Sequence, residues 1–215
     1  MRIALVNPNT DAAVTSAMCE IARRRAPPGL SITGHTATFG VPLITDAVAL
    51  SEAARAVAAF APQLAHYDGV VVSAFGDPGV EALRDVLECP VVGIAEAAMR
   101  AAGAGGRAFA VATTTPDLCE AIAARAVAYG HANFVGTWVT PGDPRDVMAD
   151  HDTLAAALLS ASQSAVKDGG AQAVIVGGGP LARVAETMRG CLSVPVIAPI
   201  PEAIDLIAAY LMEER

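Results

Sequence analysis

The feature that most constrains this chain is a device it carries twice. Val70-Val71-Val72-Ser73-Ala74-Phe75-Gly76-Asp77-Pro78-Gly79 is an apolar, β-branched run that breaks abruptly into small residues, a turn and a helix start. About a hundred residues further on, Val174-Ile175-Val176-Gly177-Gly178-Gly179-Pro180-Leu181 repeats the pattern. Short apolar runs bounded by turn residues read as fully buried strands, and proline suits the first position of the helix that follows. In open parallel sheets, ligands bind outside the carboxyl ends of such strands, where helix N-termini present free N–H groups.

The surroundings of the two runs match as well. Cys89-Pro90-Val91-Val92-Gly93-Ile94-Ala95-Glu96 follows the first, and Val194-Pro195-Val196-Ile197-Ala198-Pro199-Ile200-Pro201-Glu202 follows the second. Arg2 to Thr10 likewise aligns with Arg107 to Thr115. A duplicated half-domain is expected, with residues 1–103 as one half and 104–215 as the other, divided at Gly103-Ala104-Gly105-Gly106. The fold class is then α/β, two pseudo-symmetric Rossmann-like lobes with mainly parallel sheets and the site between them, with room for helices exchanged between lobes. At 215 residues, both one large α/β domain and two lobes of about 100 residues are within the usual range.

Composition narrows the function classes. More than half of the residues are apolar, yet no stretch approaches the roughly 18 uninterrupted apolar residues of a membrane span. The first residues enter a strand without the basic region and long apolar core of a secretory signal, so a cytoplasmic location is expected. A net charge of −8 argues against a nucleic-acid partner, since the only dense basic cluster is Arg23-Arg24-Arg25. Three arginines in the last turn of a helix that begins near Asp11 favour its negative end, and Pro27-Pro28-Gly29 stops it. Cys19, Cys89, Cys119 and Cys191 are too widely spaced for a close metal-ligand pair and read as reduced thiols, while His35, His66, His131 and His151 read as isolated surface or loop residues. Alanine-rich helices of low charge would suit a homo-oligomer.

Candidate site residues lie at the strand ends. Asn9 and Thr10 close the first strand and either cap the next helix, contact a ligand, or do both. Thr38-Phe39-Gly40-Val41-Pro42 is a loop that could cover a cleft, with Phe39 as lid or core plug. Thr45 and Asp46 open an alanine-rich helix that reads as running to about His66. Asp77 is the one ionisable residue in its turn; general base is the functional reading, and helix cap ahead of Pro78 the plainer one. Thr113, Thr114 and Thr115 put three hydroxyls where a cap needs one, which favours ligand contact with a carboxylate, amide or imide oxygen. Thr140-Pro141-Gly142-Asp143-Pro144 reads as a loop. Gly177-Gly178-Gly179 lacks the spacing of a dinucleotide fingerprint, but consecutive glycines let a ligand approach the backbone.

Together, Asn7-Pro8-Asn9-Thr10, Phe75-Gly76-Asp77-Pro78-Gly79 and Val91-Val92-Gly93-Ile94-Ala95-Glu96-Ala97-Ala98 resemble the hydantoin racemase branch of the aspartate/glutamate racemase superfamily. The resemblance spans nearly the whole chain. It implies two lobes, a small-molecule substrate between them and no metal or organic cofactor. It also implies two cysteines, one per half, acting as acid and base on opposite faces of a carbon beside a carbonyl. Those positions fall here on Ala74 and Gly178, neither of which can move a proton. Ser73 and Asp77 are the weak catalytic candidates that remain. Asn9, Thr10, Phe39, Gly40, Ala74, Phe75, Gly76, Thr113, Thr114, Thr115, Gly178, Gly179 and Pro180 are the expected binding residues. The expected chemistry is action beside a carbonyl of a small hydantoin-like ring or amino-acid-derived substrate; ring hydrolysis, decarboxylation and non-catalytic binding are the alternatives.

Overall fold

The computed structural model describes residues 1–188 and 190–213. Two parallel four-stranded sheets form its frame. The first contains β1 (Arg2–Asn7), β2 (Ser31–Thr36), β3 (Gly69–Val72) and β4 (Val91–Gly93) in the order β2-β1-β3-β4. The second contains β5 (Phe109–Thr113), β6 (Phe134–Val139), β7 (Ala173–Val176) and β8 (Val196–Ile197) in the equivalent order β6-β5-β7-β8. Val70, Val71 and Val72, like Ala173 to Val176, are fully buried. Parallel sheets covered on both faces require such continuous apolar strands, which is why neither run alternates with polar residues.

The helices in chain order are α1 (Ala12–Arg25), α2 (Ala47–Ala58), α3 (Ala61–Leu64), α4 (Val80–Arg84), α5 (Ile94–Ala102), α6 (Cys119–Ala128), α7 (Pro144–Ala149), α8 (His151–Lys167), α9 (Ala182–Thr187) and α10 (Pro199–Glu213). Asp11 caps α1 by accepting from the N–H groups of Ala13 and Val14. At its far end Arg23 donates to the carbonyl of Ile32, Arg24 pairs with Glu186 at 2.6 Å and Arg25 with Asp205 at 2.5 Å. The helix opened by Asp46 stops at Ala58 instead of reaching His66, and the short α3 resumes with Pro62 in its first turn. Proline in a first turn costs no hydrogen bond, so the break sits where the sequence permits it. Among the described residues no helix is long and apolar enough to cross a membrane.

The last helix after each sheet's fourth strand crosses to the other sheet. Ala95, Ala98, Met99 and Ala102 of α5 pack with Phe109, Val111, Ile175 and Ile197 of the second sheet. Ile200, Ile204, Ile207 and Leu211 of α10 pack with Ile3, Leu5, Val71 and Val92 of the first. Each sheet therefore depends on a helix from the other half for one covered face. Burying a large aliphatic side chain stabilises by about 1.5–3 kcal/mol, so several such contacts tie the two sheets together.

Candidate active site

A cavity of about 50 Å³ lies where the carboxyl ends of the central strands β1, β3, β5 and β7 meet, room for several waters at roughly 10–15 Å³ each. Asn9, Ser73, Ala74, Phe75, Thr113, Thr114, Thr115, Gly178, Gly179 and Pro180 all line it.

Its centre is fixed by two turns crossing at close range. A β-carbon on Gly179 would lie 2.6 Å from the Ser73 carbonyl oxygen, and one on Gly177 would lie 3.2 Å from the Phe75 ring. Residue 73 thus abuts 179 and residue 75 abuts 177, and Ala74 and Gly178, the middle residues of the two turns, both line the cavity. Any side chain at 179 would force the turns apart, which accounts for glycine there. Gly178 itself has φ +146°, a backbone shape that L side chains rarely adopt.

The polar part of the lining is rich in hydrogen-bond donors. Asn9 is 3% exposed, and its carboxamide oxygen accepts from Asn7 Nδ2 at 2.7 Å and from the N–H of Asp11 at 2.9 Å. Those two donors fix the amide orientation, and no described residue accepts from its NH2. The backbone N–H groups of Ala74, Phe75, Thr114, Thr115, Gly178 and Gly179 likewise make no hydrogen bond among the described residues. Thr113 and Thr115 hydroxyls lie 3.1 Å apart, and Thr114 donates only to the Met148 sulfur at 3.6 Å, a weak acceptor. Thr115 makes no side-chain cap to the 3-10 turn it opens. No carboxylate, amine, guanidinium, imidazole or thiol is among the lining residues.

Several sequence-derived candidates sit elsewhere. Asp77 is fully buried, but it does not line the cavity and does not cap the helix after Pro78. Its residue adopts φ +51°, turning the carboxylate toward the start of α5, where it accepts from Ala95 and Glu96 N–H groups at 2.8 Å each and from the Tyr129 hydroxyl at 2.8 Å. Burial pushes the Asp77 carboxyl up to about 6, against the pull of those three donors. The same burial and the nearby carboxylate push the Tyr129 phenol upward. Asp77 is therefore a cross-helix cap and not a base facing a ligand.

Ser73 does line the cavity, but its hydroxyl donates to the Val6 carbonyl at 2.8 Å. Its proton is committed to holding β3 against β1. Gly76 lies outside the cavity, with its carbonyl accepting from Arg125 Nε at 2.8 Å. Thr10, Phe39 and Gly40 also lie outside it, and Phe39, 38% exposed, is not a core plug. Thr10 donates its backbone N–H to Val41 at 3.1 Å, anchoring the loop whose Leu43 and Ile44 reach the cavity instead. His35 is on strand β2 and not in a loop, bonded to the Tyr67 hydroxyl at 3.0 Å. None of the four cysteines lines the cavity, and Cys19 is buried beside Gly34, its thiol pushed up by that burial. Among the described residues no three His, Cys, Asp or Glu side chains converge as a metal site would require.

Leu43, Ile44, Leu118, Ile122 and Met148 complete the lining. Met148 is delivered by α7, which starts at Pro144, the last residue of the segment that reads as loop. The sequence signal for α7 was Asp143-Pro144: Asp143 accepts from the Arg145 N–H at 2.8 Å and Pro144 opens the helix.

The architecture frames a small cleft between paired parallel sheets, with hydrogen-bond donors in its lining, and comparison with known proteins identifies the class. The family model Asp/Glu/Hydantoin racemase matches residues 3–207, and the chain belongs to that family. A hydantoin racemase of Paenarthrobacter aurescens is 28% identical over 214 residues, spanning 94% of this chain and 88% of that one. The structure of allantoin racemase from Klebsiella pneumoniae superposes with a TM-score of 0.92 at 30% identity, covering 100% of this chain and 89% of the other. Allantoin racemase from Pseudomonas fluorescens gives 0.93 at 28%, covering 100% and 92%. Arylmalonate decarboxylase, at 16% identity, a TM-score of 0.67 and coverage of 98% and 92%, shares the fold.

Proposed function

We propose that this racemase-family chain acts at or beside a carbonyl of a small hydantoin-like cyclic amide or amino-acid-derived substrate, without two-thiol proton transfer. The observation that supports this reading is that Ala74 and Gly178 both line a cavity with no titratable lining side chain. We take these two residues as the places where the family's acid and base thiols would stand. Two-base racemisation requires a proton-transfer group on each face of the carbon, and a methyl and a hydrogen supply none.

What remains at the site is suited to oxygen. Backbone N–H groups at the ends of β3, β5 and β7, the Asn9 amide and the threonine hydroxyls can hold ring carbonyls and stabilise negative charge that develops on them. The same donors favour ring opening by water as the second reading, since fixed donors on a carbonyl oxygen assist attack at its carbon. A cleft retained for binding alone is the third.

Incubation with 5-substituted hydantoins, allantoin, amino acids and cyclic imides in D2O, followed by NMR and polarimetry, separates these readings. Conversion of a ring substrate without racemisation-coupled deuterium entry is the expected result. Deuterium entry together with loss of optical rotation would refute the proposal. Ring opening selects the hydrolytic reading, and saturable binding with no turnover selects the binder.

A further inference from the structure

The cavity's apolar walls belong to two different cores. Alternate residues of a strand face opposite sides of its sheet, and the second sheet obeys this: Ala110, Ala112, Val174 and Val176 join one core, Phe109, Val111, Ala173 and Ile175 the other. The lining residues divide in the same way. Phe75, Leu118 and Ile122 belong to the core on the α5–α6 face, with Ile44 packed against it. Leu181 belongs to the core on the α8 face, with Met148 packed against it. Between the two walls runs the polar strip of Thr113 to Thr115 and Gly177 to Gly179, the ends of adjacent strands β5 and β7.

A planar ring gripped by that strip through its carbonyl oxygens continues the plane of the sheet. A tetrahedral ring carbon then directs one substituent toward each wall. No lining side chain can remove a hydrogen from that carbon, and at Ala74 and Gly178 the lining offers only a methyl group and a hydrogen. Both walls are apolar, so a charged substituent directed at either of them would be buried away from the donor strip and without a partner.

Resting on the function proposed above, we infer that the ligand is a neutral five-membered cyclic ureide or imide whose ring carbon beside the carbonyl carries two apolar substituents. One substituent sits against Ile44, Leu118 and Ile122, the other against Met148 and Leu181. A carbon so substituted has no hydrogen to exchange, which places any chemistry at the ring carbonyl.

Isothermal titration of the intact chain with hydantoin, 5-methylhydantoin, 5,5-dimethylhydantoin and hydantoin-5-acetic acid at neutral pH tests this. Affinity should rise about four-fold with each methyl, the factor that corresponds to burying one such group. The acetic acid derivative should bind more weakly than hydantoin. The variants Ile122→Ala and Met148→Ala should each weaken the dimethyl compound more than hydantoin. Binding of the dimethyl compound no tighter than the monomethyl one, or preference for the acetic acid derivative, would overturn the inference while leaving the proposed function standing. Failure of every hydantoin to bind would overturn both.

Discussion

Gly93 and Asp77 are fitted to each other: a β-carbon on residue 93 would overlap the Asp77 carboxyl group. The carboxylate can reach the first N–H groups of α5 only because nothing projects from the residue before that helix. Gly93→Ala should therefore lower stability by roughly 1–3 kcal/mol, the range for overpacking a close-packed interior. The double variant Asp77→Ala/Gly93→Ala should lose less than the two single losses added, because its alanine methyl enters space that the carboxylate has vacated. Urea denaturation of the four proteins provides the comparison.

The same carboxyl makes stability depend on pH in an unusual direction. Its folded value of about 6 lies above the 3.8 of a free carboxyl, so between these values the folded chain holds the extra proton. Stability from this group is present below about pH 4, falls as pH rises through about 6, and is level above that. The whole change is on the order of 3 kcal/mol. Asp77→Asn removes the titration, so the difference in urea midpoint between wild type and variant should drift steadily across pH 4 to 6. A flat difference would mean that the carboxyl titrates alike in both states.

The Asp-Pro pair shows where sequence was sufficient and where it was not. Both Asp77-Pro78 and Asp143-Pro144 carry the same local cap signal, yet only Asp143 caps the helix that follows it. Asp77 is drawn instead to a helix seventeen residues on, by a positive φ and a tertiary partner, Tyr129 at the C-cap of α6, that no local pattern encodes. The β-branched runs identified the strands, and their small-residue ends marked Ala74, Thr113 to Thr115 and Gly178. Leu43, Ile44, Leu118, Ile122 and Met148 were not legible as site residues, since an apolar side chain in a loop or helix reads as core. Room for helix exchange between lobes was legible, but not that α5 and α10 are the helices exchanged: an amphipathic face states that it is buried, not against which sheet.

Restoring thiols should be asymmetric. Ala74 has a β-carbon already, so Ala74→Cys adds only a sulfur beside the cavity and should shift stability by less than about 1 kcal/mol. At Gly178, φ +146° excludes ordinary side chains, and an added β-carbon would sit 3.1 Å from Leu181 Cγ. Gly178→Cys should cost roughly 1–3 kcal/mol through backbone strain. Thermal denaturation of the two single variants would read this difference directly, and equal melting temperatures would show that the glycine turn relaxes without cost.

Asn9 offers the sharpest test of the donor strip. Asn9→Asp keeps the oxygen that accepts from Asn7 and Asp11, so the local turn retains its hydrogen bonds. Only the group without an intramolecular partner changes, from an NH2 donor to an anionic oxygen acceptor. If that NH2 holds a ring carbonyl, the variant loses a hydrogen bond and sets a negative charge against a carbonyl oxygen, each costing about 1 kcal/mol or more. Affinity for hydantoin should therefore fall at least about ten-fold, with the urea midpoint shifting far less. Calorimetric titration of wild type and variant at pH 7 measures the ratio. Unchanged affinity would mean that ligands bypass the end of β1 and are held by β3, β5 and β7 alone.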